Sequence, residues 1–230
     1  VINQDDAYAE FWDELLADKK VLRFGFQEKA DVRAEQIQFN EQGCARFKLV
    51  LLHQQLEVEL QVPGEHSIRN ALAAAACCYA AGIDATTIKR GLEQFQGVKG
   101  RMTYLQGKNK ALVIDDTYNA NLRSVLTAVD VLSKRTGKRI LVLGDMGELG
   151  TFTQKHHEEI GRIALQQGID KVMTCGKHSE HTSKAFGEQA KHYSSQNELA
   201  NDLLGYLDPK TTVLVKGSRS SAMENIVTQL

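Results

Sequence analysis

The chain has 230 residues, 42% hydrophobic and 25% charged, with 28 basic and 29 acidic side chains and a formal net charge of −1. At roughly 100–200 residues per domain, that is one large domain or two small ones. This composition excludes a disordered tail and a fibrous repeat, and the charge balance offers no broad basic face for a nucleic-acid backbone. No stretch approaches the ~20 apolar residues of a bilayer span. The longest mildly apolar run, Ala71–Ala81, carries Cys77, Cys78 and Tyr79. Cys44, Cys77, Cys78 and Cys175 form no C-x-x-C and no Cys/His zinc spacing, as expected of reduced thiols in a cytoplasmic protein. The opening Val1-Ile2-Asn3-Gln4-Asp5-Asp6 has neither a basic nor an apolar leader pattern. It opens mid-strand without Met, so we expect a piece of something longer.

Val1-Ile2-Asn3 reads as a strand end. Tyr8–Leu16 has helical spacing, with Tyr8, Phe11, Trp12 and Leu15 on one face. Lys20–Phe26 reads as a strand, and Glu35–Val62 as antiparallel strands broken at Gln42-Gly43 and His53-Gln54. The clearest alternation is Leu56–Val62, stopped by Pro63-Gly64. A helix follows over Ser67–Ala81, ended by Gly82. Asp84 then caps another that runs to Phe95. The glycines at 97 and 100 mark a boundary, giving domains 1–98 and 99–230. Beyond it, strands at Ala111–Ile114, Arg139–Leu143, Lys171–Thr174, His192–Ser194 and Thr212–Val215 alternate with helices. Those helices are Ser124–Lys134, Gln154–Gln167, His178–Phe186, Gln196–Tyr206 and Ser220–Leu230. The fold class is therefore α/β: a mixed sheet with helices, then a parallel sheet covered on both faces.

Ligands of such a sheet bind beyond the carboxyl ends of its strands. Three post-strand segments carry chemistry there. Asp115-Asp116-Thr117-Tyr118-Asn119-Ala120-Asn121 is dense in carboxylate, hydroxyl and amide groups; Asp116 suits ribose hydroxyls or a metal-bound water, and the same residues suit a capped turn. Gly144-Asp145-Met146-Gly147-Glu148-Leu149-Gly150 lacks the G-x-G-x-x-G spacing, and its acids repel a pyrophosphate, so it reads as a tight loop placing Asp145 or Glu148 at a site edge. Lys216-Gly217-Ser218-Arg219-Ser220-Ser221 opens the last expected helix and reads as an anion site, or as a capped helix with solvated charges. A fourth segment, Gly64 to Ala76, places His66 and Asn70 on one helix face beside an alanine stripe. Arg101 follows Gly100, where it can project from the hinge into an interdomain cleft. The seven histidines show no ligand spacing, so no metal site is expected. The sequence holds no G-x-x-x-x-G-K-[ST] phosphate loop.

Taken in order, His66-x-x-x-Asn70 with its alanine run, Gly100-Arg101-Met102, Asp115–Asn121, Leu143–Gly150 and Val215–Ser220 resemble the Mur ligases. The resemblance covers essentially the whole chain. It points to the branch that joins D-alanyl-D-alanine to UDP-N-acetylmuramoyl-tripeptide. It implies a partial central ATPase domain followed by a Rossmann-like C-terminal domain, and a cytoplasmic, ATP- and Mg²⁺-dependent amide ligase working through an acyl phosphate. By position, Asn70 would contact adenine, with His66 and Arg69 beside it, and Asp116 would bind the ribose. Arg101 and Lys216 would be catalytic, Arg101 reaching the ATP phosphates. Asn119, Asn121, Ser218 and Arg219 would lie near the dipeptide or the transferred phosphate. The chain departs from the family at Leu122 and Ala7, where Pro is usual. The family's UDP-sugar domain, phosphate loop and metal-organising Glu and carbamylated Lys have no match, so we expect a C-terminal portion that alone neither hydrolyses ATP nor forms the amide. Its partner would be the missing N-terminal part of the same protein. The rival readings are a dinucleotide-binding oxidoreductase domain, a folate-polyglutamate ligase, and a non-catalytic interaction module.

Overall fold

Alternating apolar residues build the first sheet. The computed structural model describes residues 1–16 and 18–230, which divide into units Val1–Gly97 and Val98–Leu230. In the first unit, β1 (Ile2–Asn3), α1 (Phe11–Leu15) and β2 (Arg23–Gly25) precede a meander of β3 (Val32–Phe39), β4 (Cys44–Leu51) and β5 (Gln54–Pro63). The sheet order is β1-β2-β3-β4-β5, parallel from β1 to β3 and antiparallel from β3 to β5. Ala45, Phe47, Leu49 and Leu51 of β4 and Val58 and Leu60 of β5 all point into one core, while Glu57 and Glu59 face water. Two helices cover that face: α2 (Glu65–Ala80) and α3 (Ala85–Gln94). Ile68 and Leu72 of α2 are fully buried, each contributing about 1.5–3 kcal/mol. Ala71, Ala75 and Ala76 add little bulk and let α2 lie close to the strands. Asp84 caps α3 by accepting the Thr87 N–H at 2.9 Å.

One expectation in this unit is corrected. The amphipathic helix over Tyr8–Leu16 is only the five-residue α1, and all five of its residues are exposed. The apolar spacing there marks an outward face of Tyr8, Phe11, Trp12 and Leu15.

The second unit alternates strand and helix: β6 (Thr103–Gln106), β7 (Leu112–Asp116), α4 (Leu122–Ser133), β8 (Lys138–Leu143), α5 (Thr153–Gln166), β9 (Lys171–Cys175), α6 (Glu180–Phe186), β10 (Ala190–Tyr193), α7 (Gln196–Leu204), β11 (Thr211–Lys216) and α8 (Glu224–Val227). The order is β10-β9-β8-β11-β7-β6, parallel except at the β6–β7 edge. Leu141 and Leu143 face the core under α4, α5 and α6; Ile140 and Val142 face the one under α7 and α8. The chain lays β8, β9 and β10 outward, then returns to insert β11 between β8 and β7. By the rule for open parallel sheets, that reversal marks the carboxyl ends of β7, β11 and β8 as the expected ligand edge.

The sequence missed β6, a four-residue, half-exposed edge strand. The single helix expected over Ser220–Leu230 is instead a short 3₁₀ turn, Arg219–Ser221, then Ala222 in the left-handed region (φ 45°), then α8. Met223 is fully buried, and the Ser221 carbonyl accepts the Gln196 side-chain N–H at 2.6 Å. Packing thus ends the turn before a long helix can start.

Gly161 lies inside α5 where that helix meets α6. A Cβ there would sit 2.3 Å from the Thr182 carbonyl oxygen and 2.9 Å from the Ala185 Cβ. Helix propensity alone favours Ala by ~1 kcal/mol, but overpacking costs about 1–3 kcal/mol. Because the clash is with a backbone oxygen, the upper part of that range applies, and we expect Gly161→Ala to lower stability by up to about 2 kcal/mol in urea unfolding. An unchanged or raised midpoint would contradict the close packing of α5 on α6.

Candidate functional site

The strand ends of the second unit converge through hydrogen bonds between their loops. Asp115 is buried and turned back on its own loop, its Oδ1 accepting the Thr117 hydroxyl at 2.6 Å and the Thr117 N–H at 3.2 Å. Asp116 points the other way, as alternation along β7 requires. Its Oδ1 accepts the Met102 N–H at 3.2 Å, and its Oδ2 lies 2.5 Å from Lys216 Nζ. Lys216 also donates to the Asn119 carbonyl at 2.9 Å. The expected catalytic lysine is thus buried, with its ammonium engaged by protein oxygens. The Arg101 guanidinium stacks 4.1 Å from the centre of the Tyr118 ring, and both side chains are exposed. The Gly100 carbonyl accepts the Tyr118 N–H at 2.9 Å, so the 100–102 and 116–119 segments are tied twice.

Asn119 and Asn121 are exposed, but their side-chain oxygens serve the local fold. Asn119 Oδ1 accepts the Ala120 N–H at 2.8 Å. Asn121 caps α4, accepting the Ser124 N–H at 2.9 Å, while its own N–H donates to Ser124 Oγ at 3.0 Å. Leu122 in place of Pro does not prevent this start to the helix.

The Gly144–Gly150 loop is held from three sides. The Gly144 N–H donates to the Lys216 carbonyl at 2.8 Å. The Asp145 carboxylate accepts N–H groups of Lys177, His178 and Ser179, each at 2.8 Å. Burial pushes its pKa up, but these bonds outweigh that effect and hold it below the usual carboxylate range. The Asp145 carbonyl accepts the Ser218 N–H at 2.8 Å and the Ser221 hydroxyl at 3.1 Å. Asp145 is therefore an internal tie between three loops, and Glu148 is the exposed acid of this segment.

Ser218 is buried, its hydroxyl 3.0 Å from those of Ser220 and Ser221. Arg219 is mostly exposed and paired with Glu224. Because the segment is a 3₁₀ turn, the expected helix-dipole anion site is absent; the cation and hydroxyls stand without it.

In the first unit, His66, Arg69 and Asn70 occupy the first two turns of α2. Gly64 has φ 92°, and a Cβ there would meet the His66 ring at 2.6 Å, so only glycine admits this ring position. Arg69 lies 5.0 Å from the centre of the Phe26 ring and 3.6 Å from Glu65; its Nε is buried without a hydrogen-bond partner. Asn70 is exposed. Among the described residues no group of three or more His, Cys, Asp or Glu is placed to hold a metal ion.

Sequence reasoning missed Met102, Tyr118 and His157. His157 is fully buried under the 144–150 loop. Its Nδ1–H donates to the Thr153 carbonyl at 2.8 Å, and its Nε2 accepts the Met146 N–H at 3.2 Å. His156 and His157 fall in the first turn of the expected Gln154–Gln167 helix, and nothing in their spacing marks a buried ring.

A parallel α/β unit with polar side chains gathered at its strand-order reversal defines a Rossmann-like ligand-binding class. The family's sequence profiles match accordingly: the Mur ligase middle domain over residues 1–78, and the Mur ligase, glutamate ligase domain over residues 100–219. The chain belongs to the Mur ligase family. It is 37% identical over its whole length to the UDP-N-acetylmuramoyl-tripeptide--D-alanyl-D-alanine ligase of Escherichia coli (strain K12), covering 51% of that protein. Identity to the Haemophilus influenzae ligase of the same name is 34%, covering all of this chain and 50% of that one. A crystal structure of MurF from Acinetobacter baumannii superposes with a TM-score of 0.88 at 32% identity, over 99% of this chain and 50% of that one. A Mycobacterium tuberculosis folylpolyglutamate synthase complexed with ADP shares the fold alone, with a TM-score of 0.72 at 18% identity over 95% of this chain and 51% of that one. The chain spans about half the length of the curated relatives it matches.

Burial holds His157 below the ordinary imidazole value of 6.5, against the opposing pull of the Thr153 carbonyl and Asp145. The unfolded chain therefore takes up this proton first. The stability His157 confers is complete above a pH of about 6.5 and is lost as pH falls below it. We expect the urea midpoint to drop from about pH 7 to about pH 5, with a shallower drop in His157→Leu. Equal slopes in the two proteins would contradict a neutral buried ring.

Proposed function

We propose that this chain works within an ATP-dependent amide ligase joining D-alanyl-D-alanine to UDP-N-acetylmuramoyl-tripeptide. The observation that carries the reading is the end-to-end match, at 37% identity, to a ligase of that name. In this reading the tripeptide carboxylate takes the γ-phosphoryl group of ATP, the dipeptide amine attacks the acyl phosphate, and phosphate leaves. Asn70, with His66 and Arg69, meets the adenine; Asp116 meets the ribose hydroxyls; Arg101 reaches the phosphates. Ser218 and Arg219, with Asn119 and Asn121, serve the dipeptide or the transferred phosphoryl group. Charge neutralisation and exclusion of water are what such a reaction demands of these residues. In this reading the ligase works in the cytoplasm, where ATP is supplied. In this reading Mg²⁺ and the ATP phosphates are held by the N-terminal part of the full-length ligase, since the chain spans about half the length of its curated relatives.

The 37% end-to-end identity to the D-alanyl-D-alanine ligase, against 18% to the folylpolyglutamate synthase, favours this reading over a folate-polyglutamate ligase. A full-length ligase carrying this chain, given ATP, UDP-N-acetylmuramoyl-tripeptide and D-alanyl-D-alanine, should yield the pentapeptide product by mass spectrometry. The 230-residue chain alone should yield none. Addition of glutamate to a folate in its place, or tripeptide-dependent ATP turnover by the 230-residue chain, would overturn the reading.

A further inference from the structure

Lys216 ends β11 and Asp116 ends β7, and the two are partners in the parallel register. The Lys216 side chain is 3% exposed, and its ammonium donates to Asp116 Oδ2 and to the Asn119 carbonyl. An ammonium enclosed in this way has no path by which to present its charge to a phosphate. Asp116 differs: one oxygen accepts a hydrogen bond from the Lys216 ammonium, the other accepts the Met102 N–H, and its side chain is 13% exposed. Its carboxylate is gripped on both oxygens and keeps an edge toward solvent. A carboxylate that must accept from two ribose hydroxyls needs this fixed orientation, and a cation behind it supplies that without competing for the outer face.

We infer that Lys216 is a positioning residue, which orients Asp116 and anchors the 116–119 turn for nucleotide binding without itself touching substrate. The inference rests on the proposed contact between Asp116 and ribose. It divides the Val215–Ser220 motif in two: Lys216 faces inward to β7, and Arg219 is the exposed cation.

The test is a double-mutant cycle in the full-length ligase, with initial rates measured at varied ATP. Asp116→Asn and Lys216→Met should each raise the KM for ATP by about tenfold, the scale of one lost charged hydrogen bond, with kcat changing less. Added to Asp116→Asn, Lys216→Met should change neither constant further, because its effect passes through Asp116. A further drop of about tenfold or more in kcat in that background would mean that Lys216 acts on the phosphates directly, and would overturn the inference. An unchanged KM for ATP in Asp116→Asn would instead sink the ribose contact. Should either single variant fail to fold, the double variant, which strands no charge, is compared with the unaltered ligase: a raised KM for ATP with kcat kept within about tenfold supports the inference, and a larger loss of kcat overturns it.

Discussion

One buried ion pair organises the ligand edge of the second unit. Removing an ammonium from water costs several kcal/mol, and attraction to a single carboxylate repays this only with good geometry and further hydrogen bonds. Lys216 has both, through Asp116 and the Asn119 carbonyl. Losing one partner of such a pair typically costs about 3–5 kcal/mol, because the other charge is stranded. The arrangement is possible only because β11 inserts beside β7 in register. The main chain of the same lysine receives the Gly144 N–H, so one residue links the ends of β7, β8 and β11.

A second tie repeats this logic farther along the edge. Asp145 satisfies three backbone N–H groups of the 177–179 turn with its carboxylate, and the Ser218 amide with its carbonyl. His157 closes the loop from below. The outer groups, Arg101, Tyr118, Glu148 and Arg219, are thus carried on loops that hydrogen bonds tie to one another from within. In the proposed ligase, such a tied inner layer under exposed polar groups would hold charged reactants in place.

Much of the fold was legible because central parallel strands are continuous apolar runs bounded by turn residues. Arg139–Leu143 and Thr212–Val215 lie within the observed strands for that reason. The edge strand β6 has no such run, and the break at Ala222 follows from the burial of Met223, which no local pattern announces. At the site, spacing identified Asp116 and Lys216 as chemically important but left their relation hidden. One hundred residues separate them, and only the insertion of β11 makes them neighbours. The same limit concealed Asp145, which read as an acid at a site edge and is a tie between loops. Asn121, read as both cap and ligand residue, forms the cap.

The enclosed ammonium of Lys216 is the feature on which this account turns. A ¹⁵N–¹H spectrum selective for lysine ammonium groups tests it directly on the 230-residue chain at neutral pH. The account predicts one resolved, slowly exchanging signal that vanishes in Lys216→Arg. A spectrum in which every ammonium exchanges with water as fast as a surface lysine would contradict it.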